Sequence, residues 1–335
     1  MSSKNNKNTL FRKNFTRQKF EIPNDFVYFR FGNYVGDDAT VTQNHCTGLV
    51  IQNPTFTKRS TGIVDHVKYL TVTKNTFEAP CNDTEIFVQA LMTFTPLNIV
   101  SGGKLTPGLQ KYSDGIQNVQ DEPRVSAGAM NLVDLSTGMI FDFIFSDQTV
   151  YALYEHLPVS SDTSIFTQAV PVMSRPADLN KLYTFTIGYN RCKNQANWYI
   201  DGTKVFTVNN VGLIPIDKST IVTFGGCTSK EVEIKSISAG FGLFTLLDFF
   251  PFPQSYEQIG QSYTINPANS GAGVVPIEPL ANVGSIYFKR MLSQLGTPVP
   301  QTDFIYDGPN NQPDGQGGLL NIKKFKIGTR KAYCA

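Results

Sequence analysis

Charge is scarce in this chain. Asp, Glu, Lys and Arg make up 17% of its 335 residues, and 29 basic residues nearly cancel 27 acidic ones. A net charge of +2 excludes a chain-wide phosphate-binding surface, so nucleic acid is not an expected partner. Histidine is rarer still: His45, His66 and His156 are the only three, with no His-x-His or His-Glu-x-x-His spacing, so no metal site is expected. The five cysteines form no Cys-x-x-Cys pair, and an odd number argues against a disulfide framework and for buried free thiols. No run of ~18 apolar residues occurs, which excludes a spanning helix of the usual kind. The leader Met1-Ser-Ser-Lys-Asn-Asn-Lys7 has no apolar stretch, so a cytoplasmic protein, or one released by a non-standard route, is expected. Gly-x-Ser-x-Gly and Gly-x-x-x-x-Gly-Lys are also missing, and no cofactor is expected.

What the chain does have is the material of β-sheets. It contains 25 Phe and 14 Tyr, with 27 Gly and 19 Pro between the apolar runs. No internal period is visible, which argues against propellers and solenoids. Residues 1–22, with Lys4, Lys7, Arg12, Lys13, Arg17 and Lys19 and a single acid, Glu21, read as a basic polar arm able to dock an acidic partner or an assembly partner. A second basic cluster, Lys323, Lys324, Lys326, Arg330 and Lys331, closes the chain. Strands are expected at 26–31, 47–52, 67–73, 85–94, 139–146, 149–156, 181–189, 196–201, 204–210, 219–226, 231–237, 239–246 and 319–327. Segments 98–123, 254–283 and 307–318 read as long loops. A last strand that returns to the sheet argues for a single β-sandwich over 23–335.

The central hairpin allows its register to be worked out. Asp147-Gln148 is a two-residue turn, so Phe145 faces Val150, Phe143 faces Ala152 and Phe141 faces Tyr154 on one side of the sheet. On the other side Ile144 faces Tyr151, Asp142 faces Leu153 and Ile140 faces Glu155. Asp142 and Glu155 are then diagonal neighbours, roughly 7–8 Å apart at the backbone, with Tyr151 beside them. Two carboxyl groups so placed could act as acid and base, since glycoside hydrolases separate theirs by ~5–5.5 Å or ~6.5–9.5 Å. The competing reading is that alternation alone puts two acids on a wet sheet face. His156 falls on the opposite face from Glu155. His66, beside Asp65 and Tyr69, is a candidate general acid or base, though a lone histidine serves equally as a structural hydrogen-bonding group. Arg124 and Arg175, at loop–strand junctions, could clamp an anionic ligand or form structural salt bridges.

The segments Leu182-Tyr-Thr-Phe-Thr-Ile-Gly-Tyr189 and Trp198-Tyr-Ile-Asp-Gly-Thr-Lys-Val205 resemble the strand–turn–strand of concanavalin A-like lectin/glucanase sandwiches. Together with Asp142-Phe-Ile-Phe145 and Val150-Tyr-Ala-Leu-Tyr-Glu155, they are similar to a largely uncharacterised bacterial and fungal family of that fold. The resemblance implies an all-β jelly-roll sandwich of two curved antiparallel sheets and a glycan ligand on the concave face. The Glu-x-Asp-x-x-Glu strand of the laminarinase-like branch does not occur; the nearest text is Glu231-Val-Glu233. Two functions therefore stand side by side. One is carbohydrate recognition or processing, with Asp142, Glu155 and His66 as catalytic candidates and Tyr151, Arg124, Arg175 and Tyr69 as ligand-binding candidates. The other is a non-catalytic shell or filament subunit docking through the arm and loops.

Overall fold

The computed structural model describes residues 8–31, 34–57, 67–98, 126–157, 164–175, 180–215, 221–226, 229–245 and 317–331. Within them the chain forms β1 (Asn8–Asn14), β2 (Phe26–Tyr28), β3 (Arg30–Phe31), β4 (Tyr34–Val35), β5 (Thr40–Asn44), β6 (Gly48–Asn53) and β7 (Val67–Thr73). There follow β8 (Phe77–Glu78), β9 (Thr84–Leu97), β10 (Ala127–Asp134), β11 (Met139–Phe145), β12 (Thr149–His156) and β13 (Ser164–Ser174). The last are β14 (Tyr183–Asn190), β15 (Gln195–Ile200), β16 (Thr203–Asn209), β17 (Ile221–Gly226), β18 (Ser236–Phe244) and β19 (Gly317–Lys331). No helix occurs among the described residues, and so none long and apolar enough to cross a membrane.

Two antiparallel sheets make a sandwich, the architecture the alternating runs predict. One runs β16-β15-β14-β9-β19-β6-β5, with β1 added on β19; the other runs β17-β13-β12-β11-β10-β18-β7-β2, with β8 added on β18. The C-terminal strand does return to the middle of a sheet, pairing with β9 along its length. Period-2 alternation sends Met139, Phe141, Phe143 and Phe145 inward, where all are buried. They meet the other sheet's aromatics: Phe141 lies 5.7 Å from Trp198, and Phe185 lies 5.0 Å from Phe143 and 4.7 Å from Phe145. Each such ring removed from water contributes about 1.5–3 kcal/mol, which locks the two faces in register. The indole N–H of Trp198 donates to the Asp142 carbonyl at 2.9 Å, tying β15 to β11 across the core.

Turn chemistry explains the hairpins. Asp201 and Gly202 have φ of 49° and 86°, the pair of left-handed residues a tight two-residue turn requires between β15 and β16. At Asp147-Gln148 the Ser146 N–H donates to the Thr149 carbonyl at 2.9 Å and the Thr149 N–H donates to Ser146 Oγ at 3.0 Å.

Four expectations are corrected. Residues 8–14, read as part of a free arm, form β1, with Arg12 opposite Lys326 and Asn14 opposite Lys324. Asn8, Thr9 and Arg12 are exposed, Lys13 pairs with Asp25, the backbone bonds to β19, and Phe15 just beyond is fully buried 6.3 Å from Phe241. The two basic clusters of the sequence thus lie side by side. β13 has no counterpart among the expected strands; its Pro171 sits beside a bulge, where the register shifts between Val150 and Tyr151. Residues 231–235 are not strand, and β18 begins at Ser236. The expected loop at 307–318 gives way at Gly317, where β19 begins; the segments 99–125, 254–283 and 307–316 lie outside the described residues.

Candidate acid pair on the outer sheet face

The hairpin register is the one its turn dictates: Ile140 pairs with Glu155, Asp142 with Leu153, and Ile144 with Tyr151. Asp142 and Glu155 therefore project from the outer face of the nine-stranded sheet, away from the phenylalanine core. β10 completes the surroundings on one side by placing Asn131 opposite Asp142. β13 completes them on the other, placing Thr167 opposite Glu155.

The two acids sit in unequal environments. Asp142 is 6% exposed and Asn131 3%. Burial, then the charge of Glu155, holds the Asp142 carboxyl well above the usual carboxylate range, while a hydrogen bond from the Asn131 side chain partly offsets this. The Oδ1 atoms of Asp142 and of Asn131 are both buried and have no hydrogen-bond partner among the described residues. A buried acceptor without a donor is costly, whereas a neutral carboxyl carrying its proton on Oδ1 costs far less. Glu155 is half-buried and accepts a hydrogen bond from Thr167 Oγ1 at 2.7 Å. Burial pushes its carboxyl up to about 7, against the lowering effect of Thr167. Burial is the larger cause at both acids: it brings Glu155 to about 7 and raises Asp142, where the charge of an ionised Glu155 adds to the rise. One acid loaded with a proton beside one carboxylate is the arrangement that general acid–base chemistry uses.

Tyr151 and Leu153 share this face and are half-buried, as are Ile140 and Ile144. The other candidates are not brought here. His156 faces inward, 5% exposed, with Nε2 3.0 Å from the Thr137 carbonyl and Nδ1 3.3 Å from Ser164 Oγ. Burial lowers its pKa, so it is a neutral structural histidine. Tyr69 is fully buried in the core against Tyr28, ring to ring at 5.7 Å, because β7 turns it inward opposite Leu243. It is not placed to bind a ligand. Arg175 holds the hairpin turn to the other sheet: its guanidinium donates to the Ser146 carbonyl at 2.5 Å, to Asp147 O and Thr93 Oγ1 at 3.3 Å each, and to the Phe94 carbonyl. Those bonds assign it a structural role, and they go to three backbone carbonyls and the Thr93 hydroxyl rather than to the acid of the salt bridge the sequence suggested. His66 and Arg124 lie outside the described residues.

Two residues of the site escaped the sequence reading. Asn131 carried a signal, as a lone amide in the apolar run Ala127–Val133, but nothing local shows that β10 sets it against Asp142. Thr167 carried none while β13 was unrecognised. The expectation of buried free thiols fails on burial at three positions: Cys46, Cys81 and Cys192 are free but exposed, in turns or loops between strands, while Cys227 and Cys334 lie outside the described residues.

Comparison with known proteins gives a family without an assigned role. The family described as "Family of unknown function (DUF6081)" matches residues 11–331. The chain is 26% identical to the uncharacterized protein L829 of Acanthamoeba polyphaga mimivirus, over 90% of this chain and 83% of that one. Among solved structures it is similar to an endo-1,3-beta-glucanase from Streptomyces sioyaensis (9% identity, TM-score 0.45, 96% of each chain). It is also similar to Crh5 transglycosylase in complex with NAG (12% identity, TM-score 0.43), over 100% of this chain and 90% of that one.

Proposed function

The chain belongs to the DUF6081 family, and on that premise we propose that the outer face around Asp142 and Glu155 recognises and processes a carbohydrate. The observation that carries this reading is the unequal setting of two acids on one sheet face. Asp142 is buried with Oδ1 unpartnered among the described residues, and half-buried Glu155 accepts from Thr167, with burial raising both carboxyls. In this reading Asp142 delivers the proton from Oδ1 to a leaving glycosidic oxygen. Glu155, aimed by Thr167, is the carboxylate that activates water or attacks the sugar. Half-buried Tyr151 and Leu153 offer an aromatic and apolar strip beside the acids, the kind of surface a sugar ring covers with its C–H face. In this reading turnover rises with pH through about 7, as Glu155 becomes charged.

The alternative, a shell or filament subunit docking through the basic arm and loops, is not better supported. Residues 8–14 of that arm pair with β19.

The test begins with the wild type on a glycan array and in reducing-end release assays over a polysaccharide panel, from pH 5 to 9. Binding of one glycan class is expected. With that glycan as substrate, Asp142→Asn and Glu155→Gln are each expected to lower kcat by about 10²-fold or more while binding persists. A wild type that binds and cleaves nothing on the panel would sink the reading, as would two variants as active as the parent.

A further inference from the structure

At the opposite end of the molecule's chemistry lies a pair of thiols. β9 and β14 are antiparallel neighbours, with Ile86 opposite Tyr189. The start of one strand and the end of the other therefore share one end of the sheet. Cys81 precedes the first residue of β9, Thr84, and Cys192 follows the last of β14, Asn190. Both thiols are exposed at this end of the sheet, and Cys81 lies close enough to act on the titration of Cys192.

The backbones that carry them are held from both sides. Arg191 Nη1 donates to the Ala79 carbonyl at 3.3 Å, bridging the gap between the two segments directly. Its Nε is paired with Glu233 Oε1 at 2.8 Å, which keeps the guanidinium from swinging away. Ala79 is fully buried and its N–H donates to the Lys235 carbonyl at 2.8 Å. On the hairpin side the Lys193 N–H donates to Asn190 Oδ1 at 3.0 Å. Two exposed thiols on adjacent, mutually hydrogen-bonded segments are accessible to oxidants and held near one another, the placement a disulfide requires.

We propose that Cys81 and Cys192 form a redox-sensitive pair that closes into an intramolecular disulfide by exchange with a small-molecule disulfide. One protein thiolate attacks a sulfur of the small disulfide and releases one small thiol, leaving a mixed disulfide. The other protein thiol gives up its proton and attacks the protein-side sulfur of that adduct, releasing the second small thiol. One S–S bond breaks and one forms: the oxidant is reduced to two thiols and the protein loses two hydrogens. Desolvation, the neighbouring Cys81 and the charge of Asp83 raise the Cys192 thiol against the lowering effect of Arg191, so exchange is faster in alkaline buffer. The bridge would clip the segment before β9 to the β14–β15 turn, far in sequence from the acid pair and independent of it.

The experiment equilibrates the full-length protein in glutathione buffers from fully reduced to fully oxidised, alkylates the remaining thiols, and maps peptides by mass. A Cys81–Cys192 linked peptide is expected, two hydrogens lighter than the sum of its parts and lost after dithiothreitol. Cys46, exposed in the β5–β6 turn, serves as the internal control and is expected to carry glutathione alone. In Cys192→Ser, Cys81 is expected to hold a lasting glutathione adduct. The proposal is overturned if Cys81 and Cys192 of the wild type each stay free or each keep glutathione at every ratio. It is equally overturned if either links to another cysteine in preference to its neighbour.

Discussion

Replacing Glu155 by Gln asks directly whether burial has lifted this carboxyl. Gln keeps the shape and can still accept the hydrogen bond from Thr167, so packing changes little. In the folded wild type the group rises from an ordinary 4.5 to about 7. Between those values the native protein holds a proton that the unfolded chain has released, so unfolding releases one and stability falls as pH rises. The penalty is absent below pH 4.5, grows across the window and levels off above pH 7. At ~1.4 kcal/mol per tenfold in proton affinity the full rise is worth about 3 kcal/mol, and solvent at this half-buried site reduces it to about 2 kcal/mol. The Gln variant carries no such penalty, and it also relieves Asp142 of its charged neighbour. Urea unfolding at pH 5 should therefore find the two proteins alike, while at pH 8 the variant should be about 2 kcal/mol more stable. Thermal scans should show the same divergence, on the order of 4 °C at ~2 °C per kcal/mol for a chain this large. A difference that does not change with pH, or a wild type that gains on the variant as pH rises, would refute the argument.

Other perturbations test the frame that positions the acids. Arg175→Met removes the donor shared by Ser146, Asp147, Phe94 and Thr93 and should cost about 3–5 kcal/mol in urea unfolding; a loss under 1 kcal/mol would show the bonds to be dispensable. Trp198→Phe leaves the Asp142 carbonyl without its cross-core donor and opens a void, with an expected loss of about 2–3 kcal/mol by the same measurement. Gly188→Ala would set a Cβ 2.2 Å from the Glu85 carboxyl carbon and push apart the buried Glu85–Arg330 ion pair, whose Nε–Oε2 distance is 2.5 Å. Its expected cost is about 3 kcal/mol or more. Gly202→Ala, where nothing lies within 4 Å of an added Cβ, should lose only the roughly 1 kcal/mol of left-handed strain.

The alternation of Met139–Phe145 and Thr149–His156 and the Asp147-Gln148 turn between them were enough to write the hairpin's pairing and to put Asp142 and Glu155 on one face. That inference works because a two-residue turn fixes register locally and a strand's period is two. The same locality made the two-sheet architecture legible from spaced apolar runs. What the hairpin could not reveal is the company those acids keep. Asn131 and Thr167 come from β10 and β13, whose placement depends on sheet pairing, and β13 is absent from the expected strands. Burial decides the protonation of Asp142 and Glu155, and burial belongs to the assembled sandwich, not to the residues one by one. Likewise residues 8–14 of the basic leader became a strand only because β19 offered its backbone, Tyr69 was drawn into the core, and Arg175 was taken up by the Ser146 and Phe94 carbonyls. Cys81 and Cys192, far apart along the chain, became neighbours only when β9 met β14. Local pattern determined the strands and one hairpin face; non-local pairing decided which chemistry that face holds.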